Sequence, residues 1–194
     1  PAASVFKLVT TAALVEDAGV SPTESMCYRA AAGVRKLTAK DIEDTFAEGE
    51  EGVSCATLTE GLAKSINPVM ARLADARLSP RVLLRYAERF AFGRALPFDM
   101  ALDVSPVEIP HERVEFARTA AGFWHVGLSP LHGAVIAATI ARGGRMPQPT
   151  LIDSVRTSDG RELWRAEPQT LRRVVSAETA AILTTFNEID MHPV

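Results

Sequence analysis

Apolar residues recur at three- and four-residue intervals at the start of the chain. Val5, Leu8, Val9, Ala12, Ala13 and Val15 form the series, and that period predicts a mostly buried helix stopped by Gly19. Between 20 and 57 the regularity fades. Ser21-Pro22-Thr23 marks a loop, Met26-Cys27-Tyr28-Arg29 a short strand, and the charged run from Lys40 to Gly52 a solvated excursion. Helical period returns at Leu58, Leu62 and Ala63 and breaks at Ser65-Ile66-Asn67-Pro68. Proline disfavours helical geometry in the residue before it, which places Asn67 outside the following helix as its cap and Pro68 as its first residue. Val69, Met70, Leu73 and Ala74 then face inward.

Ser79-Pro80 opens another helix, 81–91, ended by Gly93. Residues 96–110 are extended and punctuated by proline, 111–119 form a short helix, and 121–127 are a loop bounded by glycines. Ser129-Pro130 caps a helix over 131–141 so apolar that burial nearly all round is expected. From Thr150 the period changes to that of a hairpin, 151–165, with an Asp159-Gly160 turn. Ser176 caps a last helix, from Ala177 to about Asn187, with Glu178 in its first turn.

Composition narrows the function classes. At 194 residues, with 47% hydrophobic and 23% charged, the chain suits one globular domain. A net charge of −3 leaves no electrostatic footprint for nucleic acid. No apolar run approaches a membrane span and no signal peptide is present, while the abrupt start at Pro1 reads as a chain cut from something longer. His111, His125, His132 and His192 lie at no metal-ligand spacing with Cys, Asp or Glu, so neither a metal site nor a cofactor is expected. There is no G-x-S-x-G elbow and no phosphate loop. Cys27 and Cys55 flank the acidic excursion, as a disulfide that closes it or as two unrelated thiols.

Two short patterns carry chemistry. Ser4 and Lys7 are one turn apart on the first helix, close enough for an amine to reach a hydroxyl. Serine is a poor nucleophile until a base takes its proton, and lysine serves as that base when burial and nearby positive potential lower its pKa. The unpaired N–H groups at a helix N-terminus supply that potential. Ser65 and Asn67 sit two residues apart at a helix–helix junction, where polar side chains project into a cleft. As a capping arrangement the junction accounts for Asn67 but gives no reason for Ser65.

With S-x-x-K at the head of a buried helix and S-x-N at a junction, the chain resembles the penicillin-binding protein transpeptidase family. Residues 1–14 resemble its active-site helix, and Thr57 to Pro68 the helix leading into its S-x-N motif. Phe90-Ala91-Phe92-Gly93 is similar to its F-G-F-G-like segment, and Gly127 to Gly144 to its T-P-L-Q helix and A-N-G-G-type ending. The hairpin and Val175 to Ala180 follow in the family's order, so the resemblance covers essentially the whole chain, 1–194, as a partial transpeptidase domain. It implies an α+β, helix-rich fold in which an antiparallel sheet is flanked by helices, incomplete here, with the 150–165 hairpin in that sheet.

The activity implied is acyl transfer. Ser4 attacks the D-Ala-D-Ala carbonyl of a peptidoglycan stem peptide, Lys7 takes the proton, Ser65 relays protons, and Asn67 hydrogen-bonds the substrate amide. β-Lactams acylate Ser4 as mimics of the dipeptide. Stem peptides, β-lactams and cell-wall synthesis proteins are the implied partners, on the extracytoplasmic (periplasmic) face of the bacterial membrane, from a membrane-anchored parent. In that oxidising setting a Cys27–Cys55 bridge is compatible with the resemblance. The family's third motif, K-T-G, does not occur. By the resemblance it supplies the substrate-carboxylate contact and one oxyanion-hole N–H, so this chain alone is expected to be a poor catalyst. A degenerate domain that binds cell-wall peptide or a division partner without turnover is one alternative, and a β-lactamase or β-lactam sensor of the same fold is another.

Overall fold

The computed structural model describes residues 1–33 and 36–188. A single 3₁₀ turn, Ala3–Val5, leads into α1 (Phe6–Glu16). Phe6, Val9, Ala12, Ala13 and Leu14 are fully buried on α1. Burial of the larger ones stabilises the fold by ~1.5–3 kcal/mol each. Gly19, at φ 65°, turns the chain out of the helix, and the Val20 N–H closes on the Leu14 carbonyl at 2.9 Å.

β1 (Ser25–Arg29) and β2 (Val53–Thr57) then form an antiparallel hairpin in which Cys27 faces Cys55, and a disulfide joins them. Between the strands, α2 (Ala39–Glu43) lies inside the stretch expected to be a charged loop. Its start is a capping box, with Thr38 and Asp41 each bonding the other's backbone, and Asp41 is buried. At five residues, three of them charged, α2 is too short to show an apolar period, which is why periodicity passes over it.

The helical body continues with α3 (Leu58–Ala63), α4 (Asn67–Arg77), α5 (Pro80–Arg89), α6 (Arg113–Ala120) and α7 (Pro130–Ala141). β3 (Arg145–Pro147), β4 (Ser154–Arg156), β5 (Glu162–Arg165), β6 (Thr170–Arg173) and α8 (Ala177–Glu188) complete it. α1 is the hub and packs against α3, α4, α5, α6 and α8. Polar ties fix its far end: Glu16 accepts from Arg89 at 2.9 Å and from the Ser176 N–H at 3.0 Å, while Asp17 pairs with Arg85. His132 is buried beneath Phe92 and donates its Nε2–H to the Phe90 carbonyl at 2.6 Å. Burial lowers its pKa and keeps the imidazole neutral.

Three expectations are corrected. The 150–165 hairpin does not join a central sheet. β4 pairs only with β5, β3 pairs with β6, and among the described residues all strands lie in two-stranded antiparallel sheets. Val155, Leu163 and Trp164 on the hairpin are exposed, so no layer covers it. α7 is not buried all round, since Ala134, Ala137 and Ala141 line an exposed face. Alanine's small area makes that face cheap to expose, and an apolar count does not see the difference. Finally, Asn67 is the first residue of α4 and not its cap. Ile66 holds the cap position, and the Met70 N–H closes the first turn on the Ile66 carbonyl at 3.3 Å.

Candidate active site

Three side chains meet at the N-terminus of α1. Lys7 Nζ donates to Ser4 Oγ at 2.9 Å and to Ser65 Oγ at 2.8 Å, and the two serine oxygens are 2.7 Å apart. Ser4 and Ser65 are exposed, whereas Lys7 is only 1% exposed. The hydroxyls are therefore open to a ligand while the amine is screened from water. Burial lowers the Lys7 pKa from 10.5 to about 8. A neutral amine, able to take a proton from either hydroxyl, is thus within reach of physiological pH.

Local sequence explains how Ser65 arrives there. Thr57 and Glu60 form a reciprocal capping box that starts α3: Thr57 Oγ1 accepts from the Glu60 N–H at 3.2 Å, and Glu60 Oε2 from the Thr57 N–H at 2.9 Å. Those bonds hold the Glu60 carboxyl below its ordinary pKa. Gly61 lets α4 close on α3, since a Cβ there would stand 2.6 Å from Val69 Cγ1. At the far end the Ser65 N–H bonds the Leu62 carbonyl at 3.0 Å and the Ile66 N–H bonds the Gly61 carbonyl at 2.8 Å. This is the Schellman pattern, with Ser65 at φ 55° in the left-handed position where glycine is usual. A side chain there costs ~1–2 kcal/mol. In return the turn aims a hydroxyl at Lys7 and Ser4, which is the reason for Ser65 that capping alone did not provide.

Asn67 follows in the first turn of α4. It is half-buried, and its carboxamide bonds no other described residue, which leaves both ends of the amide for a ligand. The disulfide lies two residues upstream of Thr57, so β2 is pinned just before it feeds α3 and Ser65. The histidines do not gather. His111, His125 and His132 sit on separate elements, His192 lies outside the described residues, and no three His, Cys, Asp or Glu among the described residues could hold a metal. Two parts of the site escape the motif reading. One is the 57–60 capping box, spelled out as Thr-x-x-Glu. The other is the 121–127 loop, which lies against the backbone just before Ser4 (the Ala2 N–H bonds the Val126 carbonyl at 2.8 Å).

Residues 1–186 match the family model described as penicillin binding protein transpeptidase domain. The chain is 30% identical over 200 residues to the peptidoglycan D,D-transpeptidase PbpA of Mycolicibacterium smegmatis, covering 95% of this chain and 37% of that protein. With PbpA of Mycobacterium tuberculosis the identity is 31% over 193 residues, with the same coverage. The crystal structure of the M. tuberculosis protein superposes with a TM-score of 0.78 at 26% identity, over 100% of this chain and 45% of that one. Its penicillin G acyl-enzyme complex gives 0.76 at 28% identity, again over 100% and 45%. The chain thus spans less than half the length of these relatives.

Proposed function

The chain belongs to the penicillin-binding protein transpeptidase domain family, and from that premise we propose that residues 1–194 carry the nucleophile half of a peptidoglycan D,D-transpeptidase site. The observation that bears most weight is the closed triangle of Ser4, Lys7 and Ser65 around a buried amine. Neutral Lys7 takes the Ser4 proton, directly or through Ser65. Ser4 Oγ adds to the carbonyl of the D-Ala-D-Ala bond. The C–N bond then breaks, the leaving amine regains the proton from Lys7 through Ser65, and free D-Ala departs. An amine of a second stem peptide resolves the ester by the reverse route. The Asn67 amide orients the donor peptide by hydrogen bonds to its backbone.

β-Lactams enter the same chemistry, because their ring carbonyl occupies the place of the scissile amide. The Cys27–Cys55 disulfide supports an extracytoplasmic site of action, since such bridges persist in oxidising compartments. Among the described residues no helix is long and apolar enough to cross a membrane. The second reading is a binding domain without turnover; the tripeptide Lys-Thr-Gly does not occur in residues 1–194, which span less than half of the relatives' length, so the full natural chain decides. Intact-mass analysis of the full natural chain after exposure to benzylpenicillin separates the two. The transpeptidase reading expects one covalent adduct, lost in Ser4→Ala and in Lys7→Arg, whose guanidinium cannot act as a base. A well-folded chain that forms no adduct supports the binding domain.

A further inference from the structure

The loop 121–126, which no active-site motif includes, is built against the nucleophile's own backbone. Gly122 lies at φ 92°, and a Cβ on it would stand 2.1 Å from the Ala3 carbonyl oxygen, 2.7 Å from the Ala3 carbonyl carbon and 3.4 Å from the Ser4 nitrogen. No side chain fits such a gap. Ala3 is itself left-handed at φ 48°, a conformation that an alanine keeps only when its surroundings impose it. On the other side of Ala3, the Ala2 N–H bonds the Val126 carbonyl at 2.8 Å. The loop thus grips the two residues before Ser4 from both ends.

It is also anchored from outside. The Gly122 and Phe123 N–H groups bond the carbonyls of Thr119 and Arg118 at the end of α6, at 2.9 and 3.1 Å. The His125 carbonyl accepts from the Glu108 N–H, and the Gly127 N–H bonds the Pro106 carbonyl, both at 2.9 Å. Glu115 on α6 holds the tip, accepting from Trp124 Nε1 at 3.0 Å with His125 Nε2 3.5 Å away.

We propose that Gly122 is a positioning residue for the nucleophile: its missing side chain lets the loop close on the Ala3–Ser4 peptide and fixes the direction of the Ser4 N–H and Oγ. The inference rests on the acyl-transfer reading of Ser4. In that chemistry the N–H at the head of a helix faces the developing oxyanion, and a displacement of about 1 Å there costs on the order of 100-fold in rate. Gly122 meets Ser4 through the backbone, whereas Lys7 is set by its burial on α1 and by a second bond to Ser65, so the geometry of attack and the strength of the base are separable.

The test is fluorescent-penicillin acylation of the full natural chain, resolved into initial binding and acylation rate and followed across pH. Gly122→Ala is expected to lower the acylation rate about 100-fold, with initial binding little changed and the pH midpoint still near the wild-type value. A rate within threefold of wild type overturns the proposal. So does a rate loss accompanied by a midpoint that climbs toward that of a solvated lysine, since it would mean a loosened site. If Gly122→Ala does not fold, Glu115→Gln decides. It keeps Gly122 but removes the carboxylate charge facing Trp124 and His125, and a loss of about fivefold in acylation rate is expected, the scale of the difference between a charge-assisted and a neutral hydrogen bond. An unchanged rate in a folded Glu115→Gln variant overturns the proposal. Absence of Ser4-dependent labelling in the wild type would instead overturn the acyl-transfer reading, and this inference with it.

Discussion

Lys7 connects stability to chemistry most directly. Its amine titrates near 8 when folded against 10.5 when solvated. Below about pH 8 both states hold the proton, and the native state carries a buried cation. Between 8 and 10.5 the unfolded state binds more protons, so stability must rise with pH across that window. The full difference corresponds to ~3 kcal/mol. Lys7→Met should therefore be more stable than wild type at pH 7, flat in stability from pH 8 to 10, and incapable of acylation. Urea unfolding at several pH values checks this, and a wild-type curve without a rise above pH 8 would refute it. The acylation rate should climb over the lower part of the same interval as Lys7 loses its proton. Ser65 shows the same opposition in its backbone. Ser65→Gly relieves a left-handed serine and should stabilise the end of α3 by ~1 kcal/mol, while removing the 2.8 Å and 2.7 Å bonds to Lys7 and Ser4. A higher melting temperature with slower acylation is the expected outcome, and an acylation rate equal to wild type would exclude Ser65 from proton transfer.

Among the elements, the β1–β2 hairpin acts as a stop for α3. The disulfide closes a separation of 28 residues, for which chain-entropy reasoning gives ~3–4 kcal/mol. Because β2 ends in the Thr57 cap itself, with only Ala56 between that cap and Cys55, slack in the hairpin passes to Ser65 along one short helix. Cys27→Ser/Cys55→Ser should lower stability by about that amount and also slow acylation, and a stability loss with unaltered acylation would show the hairpin to be only a clamp. These links decide what was legible beforehand. α1, α3, α5, α6, α7 and α8 could be seen in the sequence because each carries an apolar face or a Ser-Pro start. α2 could not, being short and charged, although Thr38 and Asp41 held its signal. The start of α4 was misplaced by one residue because the penalty on a residue preceding proline is a bias, and the Met70-to-Ile66 bond outweighed it. The meeting of Ser4, Lys7 and Ser65 follows from residue types and spacings visible in the sequence, as does the proposal of Asn67 beside them. The grip of Gly122 on Ala3 could not, since a distance across 119 residues of chain leaves no periodic trace.

Considered whole, the molecule bears on why residues 1–194 should react slowly by themselves. One cause would be a mobile base: an active-site helix without neighbours would rehydrate its lysine and raise its pKa. The packing argues against it. α1 is enclosed by five helices, Thr10 Oγ1 ties it to the Ala120 carbonyl at 2.7 Å, and Lys7 remains buried. We propose instead that the slow reaction expected of residues 1–194 alone arises in the oxyanion and in substrate hold, which the resemblance assigns to a Lys-Thr-Gly strand that these residues do not contain. Loss of one oxyanion donor costs ~100- to 1,000-fold in rate. Residues 1–194 alone should therefore label with fluorescent penicillin at least that much more slowly than a chain extended through such a strand, yet with the same pH midpoint, near that of Lys7. Intact-mass time courses on both chains, with Ser4→Ala in the longer one as control, distinguish the two causes. Equal Ser4-dependent rates would mean that the third motif matters less than the family pattern implies. A midpoint raised only in the short chain would restore the mobile-base explanation and show that five packed helices do not suffice to keep Lys7 dry.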